Sequence, residues 1–329
     1  MNTSNHIPPL RVAVLDDYQD AVRKLSAFSK LAGRDVTIVR DAIGDPVELA
    51  GRIRDAQVLA LIRERTIVDE RLLVQLPSLK LICQTSNGVA HVDVEACTHR
   101  GIAISTTGTN PYAPAELTWA LILAATRHLP GELTSMKSGN WQAGSIGTQL
   151  RSRVLGIFGY GSIGRIVAQY GKAFGMHVLV WGRDASRESA VRDGFEAAGS
   201  KAAFFEESDV LTLHLRLNDT TRGIVSAEDL VRMKTNAIFV NTSRAALVAP
   251  GALAAALNTG RPGLAAVDVY ESEPARDDPL LALPNAICTP HLGYLEKDTY
   301  EVFFNGVIDN ILAFEVGTPT NLVNPEALN

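Results

Sequence analysis

A chain of 329 residues, 46% of them hydrophobic, is long enough to fill two cores. Its net charge of −5 and pI near 5.8, with no basic run, exclude a nucleic-acid partner. The three cysteines, Cys83, Cys97 and Cys288, have neither metal-ligand nor redox spacing, and so sparse and odd a count fits a reducing compartment.

No charged n-region followed by an apolar h-region opens the chain, so no signal peptide is expected. From there the first hundred residues alternate short apolar runs with helical patterns. Arg11–Leu15, Val36–Val39, Val58–Ile62, Leu79–Cys83 and Ile102–Ser105 read as strands, and Asp69–Gln75 and Val94–Arg100 as helices. That alternation predicts a parallel sheet covered by helices. Two loops in this half follow strands, Arg63-Glu64-Arg65-Thr66 and Thr85-Ser86-Asn87-Gly88. Ligands of open α/β sheets bind outside the carboxyl ends of strands, so both loops are candidates for contact with substrate.

Pro111 to Glu116 then leads into an apolar helix, Leu117–His128, and a polar helix to about Gly139. Lying between two sheet patterns, the pair reads as an interdomain connection. The longest apolar run, Trp119–Ala125, is too short to span a bilayer. A soluble, cytoplasmic protein with no membrane segment is expected.

A second alternation opens at Val154 with a strand to Phe158, a glycine turn, a helix, and a strand ending near Trp181. The turn carries Gly159, Gly161 and Gly164 in the G-x-G-x-x-G spacing. The first glycine permits a tight turn, the second lets backbone approach a pyrophosphate, and the third lets helix and strand pack closely. The flanking strand and helix are the context in which that spacing carries weight. Strands follow at Val210–His214, Ala237–Val240, Leu264–Val267 and Ala286–Cys288, and Asp298–Phe314 is helical in period. With no sheet partner near it in sequence, that last helix is expected to pack back on the first domain.

Polar residues cluster at the strand ends of this half. Asn241-Thr242-Ser243-Arg244 follows one strand, Asp268 ends the next, Glu273 precedes Pro274, and His291 follows Thr289-Pro290. Oxidation of a hydroxy acid needs such a set. An arginine holds a carboxylate bidentately and stays charged. A histidine takes or gives the hydroxyl proton near neutrality, and a carboxylate beside it favours its protonated form.

On the motifs SNGVAHVDVEACTHRGI (86–102), LGIFGYGSIGRIVAQYGKAFGM (155–176), LHLRLNDTTRGIV (213–225), VNTSRAALV (240–248), AAVDVYESEP (265–274) and TPHLGY (289–294), the chain resembles the D-isomer-specific 2-hydroxyacid dehydrogenase family from about Ile7 to Phe314. The resemblance implies an α/β fold of two doubly wound parallel-sheet domains, with the active site in the cleft between them. A Rossmann-type cofactor domain (107–294) is inserted into a flavodoxin-like substrate domain made of 1–106 and 295–329. It implies Arg244, Glu273 and His291 as the catalytic arginine, acid and acid/base histidine. The cofactor would lie along Gly159, Tyr160, Gly161, Ser162, Ile163 and Gly164, with Gly182, Arg183, His214, Thr242 and Asp268 beside it and Asp268 near the nicotinamide carboxamide. Substrate, a small 2-hydroxy or 2-oxo acid, would meet Arg63, Ser86, Asn87, Gly88 and Arg244. A homodimer through the cofactor domain is implied as well, and no metal.

The chain departs from the family pattern at three places. Ser86-Asn87-Gly88 replaces a G-x-G substrate loop, and Arg216 stands where proline is common. Gly182-Arg183 replaces the aspartate that binds the adenine ribose in NAD-preferring relatives. Without that carboxylate, and with Arg183 and Arg187 at hand, NADP(H) is favoured over NAD(H). A cofactor-gated binding protein of the corepressor type, or a phosphite- or formate-oxidising relative, is the alternative. Formate dehydrogenases carry glutamine at the position of Glu273.

Overall fold

The computed structural model describes residues 9–142 and 144–329; the first eight residues of the expected first domain, Ile7 among them, lie outside it. The chain divides into two compact units, 1–110 with 296–329, and 111–295.

In the first unit, β1 (Val12–Leu15), β2 (Val36–Ile38), α1 (Pro46–Ile53), β3 (Val58–Leu61), α2 (Glu70–Leu73), β4 (Leu81–Gln84), α3 (Val94–His99) and β5 (Ala103–Thr106) follow in sequence. Each of the helices α1, α2 and α3 starts at an aspartate cap. The Asp45 carboxylate accepts the N–H groups of Val47 and Glu48, Asp69 that of Leu72, and Asp93 that of Ala96, which satisfies donors that a helix N-terminus otherwise leaves open. The five strands are all parallel, in the order β2-β1-β3-β4-β5, the flavodoxin-like arrangement. The order reverses between β1 and β3, so the residues after those two strands, Asp16 and Arg63, sit at the switch point where such sheets bind ligands.

The last helix (Lys297–Glu315) belongs to this unit. Ile308 packs on Ala27 and Leu31, the Asn310 amide donates to Thr106 O at 3.0 Å, and Glu315 pairs with Arg34 at 2.6 Å. Beyond it, residues 321–324 run antiparallel to β5 and close its open edge: Thr106 N–H donates to Asn321 O and Val323 N–H to Ile104 O.

The second unit begins with α4 (Tyr112–Thr126) and α5 (Leu129–Lys137). It continues through β6 (Val154–Phe158), α6 (Ser162–Ala173), β7 (His177–Trp181), α7 (Asp184–Arg192), β8 (Glu196–Ala197), α8 (Lys201–Glu207), β9 (Val210–Leu213), α9 (Ala227–Arg232), β10 (Ile238–Asn241), α10 (Ala252–Asn258), β11 (Leu264–Val267) and β12 (Ala286–Cys288). Its seven strands are parallel in the order β12-β11-β10-β9-β6-β7-β8. Numbered from β6, that is the Rossmann order extended by one strand, and the glycine turn after β6 lies where the order reverses.

Two expectations need correction. The apolar helix read as an interdomain connection is a core element: Ala115, Trp119, Leu121, Ile122 and Ala125 of α4 are buried with Leu155, Val167 and Val240. It also starts at Tyr112 and not at Leu117, because Pro114 stands in the first turn, where a missing N–H costs nothing. In addition, β4 and β10 each run one residue past their apolar run. Gln84 and Asn241 are buried at 0% and 2% exposure, and loop backbone takes up each amide nitrogen: Gln84 Nε2 donates to Thr85 O and Arg63 O, and Asn241 Nδ2 to Arg244 O.

Asn324 ties the C-terminal segment to the first sheet. Its Oδ1 accepts Ile104 N–H at 2.7 Å, and its Nδ2 donates to Thr98 Oγ1 and Ile102 O at 2.9 and 3.0 Å. Asn324→Ala removes the side-chain partner of two buried backbone groups, Ile104 N–H and Ile102 O, and is expected to cost about 2–4 kcal/mol, read from the denaturant midpoint. A midpoint within error of wild type would show that the strap carries no stability.

Candidate active site

The glycine turn is built by collision. A Cβ on Gly164 would lie 2.2 Å from Gly159 O, and one on Gly159, whose φ is +98°, would lie 2.5 Å from His214 O. Neither position admits a side chain while α6 stays against β6. Gly161 differs, since a Cβ there would meet nothing within 4 Å among the described residues. The fold does not need that glycine, and it keeps clear the space in front of α6. No side chain caps this twelve-residue helix, so its first N–H groups are left for an anion. A dinucleotide pyrophosphate fits this cradle.

Of the other residues of the turn, Tyr160 is buried at 4% exposure. Its ring packs on Phe195 and its hydroxyl donates to Asp193 at 2.8 Å, so only its backbone lines the turn. Ser162 and Ile163 open α6, Ile163 with its side chain against the core. At the end of β7, Gly182 is followed by exposed Arg183. Arg187 lies over the Trp181 ring, 4.8 Å from its centroid, and binds the Asp184 carboxylate. His214 hydrogen-bonds Thr212 through Nε2 at 3.1 Å, and burial pushes its pKa down to about 3, which keeps the ring neutral.

Four strand-end candidates converge at the carboxyl edge of β10, β11 and β12. Asn241 shapes the first loop, with Oδ1 accepting Ser243 N–H at 3.0 Å and Nδ2 donating to Arg244 O at 2.9 Å. Ser243 Oγ donates to Leu213 O at 2.7 Å, and the Thr242 and Thr118 hydroxyls are 2.7 Å apart. Arg244 donates from Nη1 to Ser243 O at 2.7 Å.

Asp268 is wholly buried. Its Oδ1 accepts the Thr289 hydroxyl and Leu292 N–H at 2.6 and 2.7 Å, and its Oδ2 accepts Gly293 N–H at 2.8 Å. Burial raises the carboxyl above its usual value against the lowering by these donors and by His291. The carboxylate is thus taken up by the 289–293 turn.

His291 sits in that turn with φ of +53°. Its Nδ1 is 2.6 Å from Glu273 Oε2, and Glu273 Oε1 accepts Tyr270 N–H at 3.0 Å. Burial alone would raise the Glu273 carboxyl. The hydrogen bond and charge of His291, the Tyr270 N–H and the charge of Arg244 outweigh it and hold the group below its ordinary value. A depressed carboxylate contributes stability above its unfolded pKa and loses it as pH falls through the folded one, so this pair is intact at neutrality and opens in acid. Tyr294, which the motif reading passed over, is buried with its ring edge-on to His291, centroids 5.3 Å apart.

In the first unit, the other candidates share one pair of loops. Arg63, with φ of +58°, donates its N–H to Thr85 Oγ1 at 2.7 Å and a guanidinium N–H to Ser86 Oγ at 2.5 Å. Ser86 is buried with φ of +66°, Asn87 is exposed, and a Cβ on Gly88 would lie 2.8 Å from Glu64 Oε1. Burial pushes the thiols of Cys83 and Cys97 up to about 12. Among the described residues no cluster of three or more His, Cys, Asp or Glu could hold a metal ion, and no helix is long and apolar enough to cross a membrane.

Residues 119–293 match the family model described as the NAD binding domain of D-isomer specific 2-hydroxyacid dehydrogenases. A solved chain from Ralstonia solanacearum superposes with a TM-score of 0.95 at 50% identity, covering 97% of this chain and 98% of that one. A glyoxylate reductase of Aeropyrum pernix is 38% identical over 292 residues, 85% of this chain and 86% of its own length. A D-3-phosphoglycerate dehydrogenase of Methanocaldococcus jannaschii is 38% identical over 75% of this chain, which spans only 47% of that protein.

The three glycines separate two kinds of constraint. Gly161→Ala has room in the folded protein, so it should keep the wild-type melting temperature and weaken nicotinamide cofactor binding about tenfold or more, the equivalent of at least ~1.4 kcal/mol. Gly164→Ala should lower the melting temperature, because backbone must move. Cofactor titration by fluorescence and a thermal melt read both, and unchanged affinity in Gly161→Ala would place the pyrophosphate elsewhere.

Proposed function

The chain belongs to the D-isomer specific 2-hydroxyacid dehydrogenase family, whose chemistry is NAD-linked hydride transfer between 2-hydroxy acids and 2-oxo acids, and we propose that it reduces small polar 2-oxo acids with His291 as the proton donor. The observation that carries this reading is the 2.6 Å contact between His291 Nδ1 and Glu273 on the same sheet edge as Arg244. With Nδ1 held by the carboxylate, Nε2 is the nitrogen that serves substrate. Arg244 holds the substrate carboxylate, and its charge also acts on Glu273. The proton on His291 Nε2 passes to the C2 oxygen, and Glu273 stabilises the imidazolium before that transfer. When bound, the nicotinamide supplies the hydride to C2. Arg63 and the Ser86-Asn87-Gly88 loop are assigned to the rest of the substrate. The glycine turn with Ser162 and Ile163 is assigned to the pyrophosphate, and His214, Thr242 and Asp268 to the wall of the cofactor site.

We assign NADP(H) as the preferred cofactor. Support comes from the end of β7, where no carboxylate stands beside Gly182 and Arg183 is exposed, while Asp184 is already bound by Arg187. A homodimer through the second unit is likewise proposed. None of the side chains of α5 is buried, and Leu133, Met136 and Trp141 are 58, 62 and 76% exposed, an apolar stripe that a second copy would cover. Light scattering at the mass of one chain would contradict it.

The first assay is a panel of glyoxylate, hydroxypyruvate, pyruvate and bulkier 2-oxo acids against NADPH and NADH. Turnover of the small polar acids with NADPH is expected. Arg183→Ala should then lose about 1.5–3 kcal/mol toward NADPH, which shifts the cofactor preference by roughly ten- to a hundredfold. Folded, cofactor-binding protein inactive across the panel would contradict the enzyme reading, and a strong wild-type preference for NADH would contradict the cofactor assignment.

His291→Ala should lower kcat about 10²–10⁴-fold at nearly unchanged cofactor affinity. Glu273→Gln should stay active, with reduction fading at a lower pH than in wild type, because the charge that favours the imidazolium is gone. A Glu273→Gln profile that overlays wild type would show that the carboxylate is not coupled to His291.

A further inference from the structure

A left-handed histidine is an uncommon device. A non-glycine residue at φ of +53° is held against its backbone preference, so its surroundings must fix it. Asp268 does this for the backbone through Leu292 and Gly293. Among the described residues, the imidazole itself is hydrogen-bonded by Glu273, on Nδ1. One hydrogen bond tolerates a range of angles, so the imidazole can still rock about its two side-chain torsions, and Nε2, on the far side of the ring, swings with it. A second contact on the ring removes that freedom. Tyr294 supplies it, with ring centroids 5.3 Å apart and planes at 75°, inside the range of stable edge-to-face pairs.

Tyr294 is suited to the task because it cannot move easily. It is 7% exposed, and the backbone before it is pinned. A Cβ on Gly293 would stand 3.3 Å from Asp268 Oδ2 and 3.6 Å from Pro114 Cβ, so the turn lies close against the first turn of α4, with room for little more than a methyl group between them. The stiffness of that packing is passed to His291 by the tyrosine ring.

We propose that Tyr294 is a positioning residue for His291, its buried ring fixing the plane of the imidazole so that Nε2 keeps one direction through the reaction. The proposal rests on the assignment of His291 as proton donor. It concerns geometry at the chemical step, so it makes a claim about kcat and not about substrate binding.

The test compares Tyr294→Leu, which keeps an apolar side chain of related bulk but loses the ring, with Tyr294→Phe, which keeps the ring. In the 2-oxo acid reductase assay Tyr294→Leu should lose about two- to tenfold in kcat, with KM for the acid nearly unchanged, and Tyr294→Phe should restore most of the loss. The imidazole resonances of His291, assigned in ¹⁵N-histidine-labelled protein against His291→Ala, should shift and broaden in the leucine variant and keep their wild-type width in the phenylalanine one. Equal kcat in both variants, or a loss that appears wholly in KM, would overturn the proposal. So would wild-type His291 line widths in Tyr294→Leu. The resonance test does not depend on turnover, so a wild-type enzyme inactive on every 2-oxo acid would sink the functional reading while the positioning claim is still decided by the spectra.

Discussion

A single buried carboxylate organises the carboxyl edge of the second sheet. Asp268 ends up with no exposure to solvent, which would be prohibitive for an acid without partners. Three donors from the 289–293 turn fill its two oxygens. Because the acid sits just past the end of β11 and the turn follows β12, the hydrogen bonds join two neighbouring strand ends into one rigid rim. His291 takes its left-handed conformation inside that rim. Its imidazole then meets Glu273, which is carried on the segment between the same two strands. Without Asp268 the turn would have no reason to hold a strained histidine, and the histidine would have no fixed relation to Glu273 or Arg244.

Strand direction explains why these residues meet at all. All seven strands run parallel, so Arg244, Asp268 and His291, which follow β10, β11 and β12, emerge on one edge. The glycine turn after β6 opens on that same edge. One end of the sheet therefore presents the glycine turn together with an arginine, a histidine and two carboxylates. The first unit repeats the arrangement on a smaller sheet, with Arg63 and Ser86 linked by a hydrogen bond across the ends of β3 and β4.

Much of this was legible in the residues because apolar runs and glycine spacing are local signals. Gly159, Gly161 and Gly164 mark their turn whatever surrounds it, and the strands around it fall where the apolar runs stand. What the pattern hid is tertiary. Gln84 and Asn241 look like loop residues and are buried strand ends, since only the folded loops reveal the acceptors of their amide nitrogens. The helix from Tyr112 reads as a connection because it lies between two sheet patterns, whereas its apolar run, without a periodic face, is the mark of a helix buried on most sides. The strap at 321–324 has no apolar pattern to announce it. At the site, Arg244, Glu273 and His291 could be singled out by type and position after strands. The part played by Tyr294 could not, because a tyrosine after a glycine gains its meaning only from the ring beside it.

The central claim is that hydride passes between cofactor and C2 of a 2-oxo acid while a proton comes from the protein. It is tested most directly by following the atoms. Reduced cofactor carrying deuterium at C4 of the nicotinamide, incubated with glyoxylate or hydroxypyruvate in ordinary water, should yield a 2-hydroxy acid with one deuterium at C2 and a hydroxyl hydrogen drawn from solvent. For hydroxypyruvate the product should have the D configuration. A product without deuterium at C2, or one of L configuration, would contradict the account.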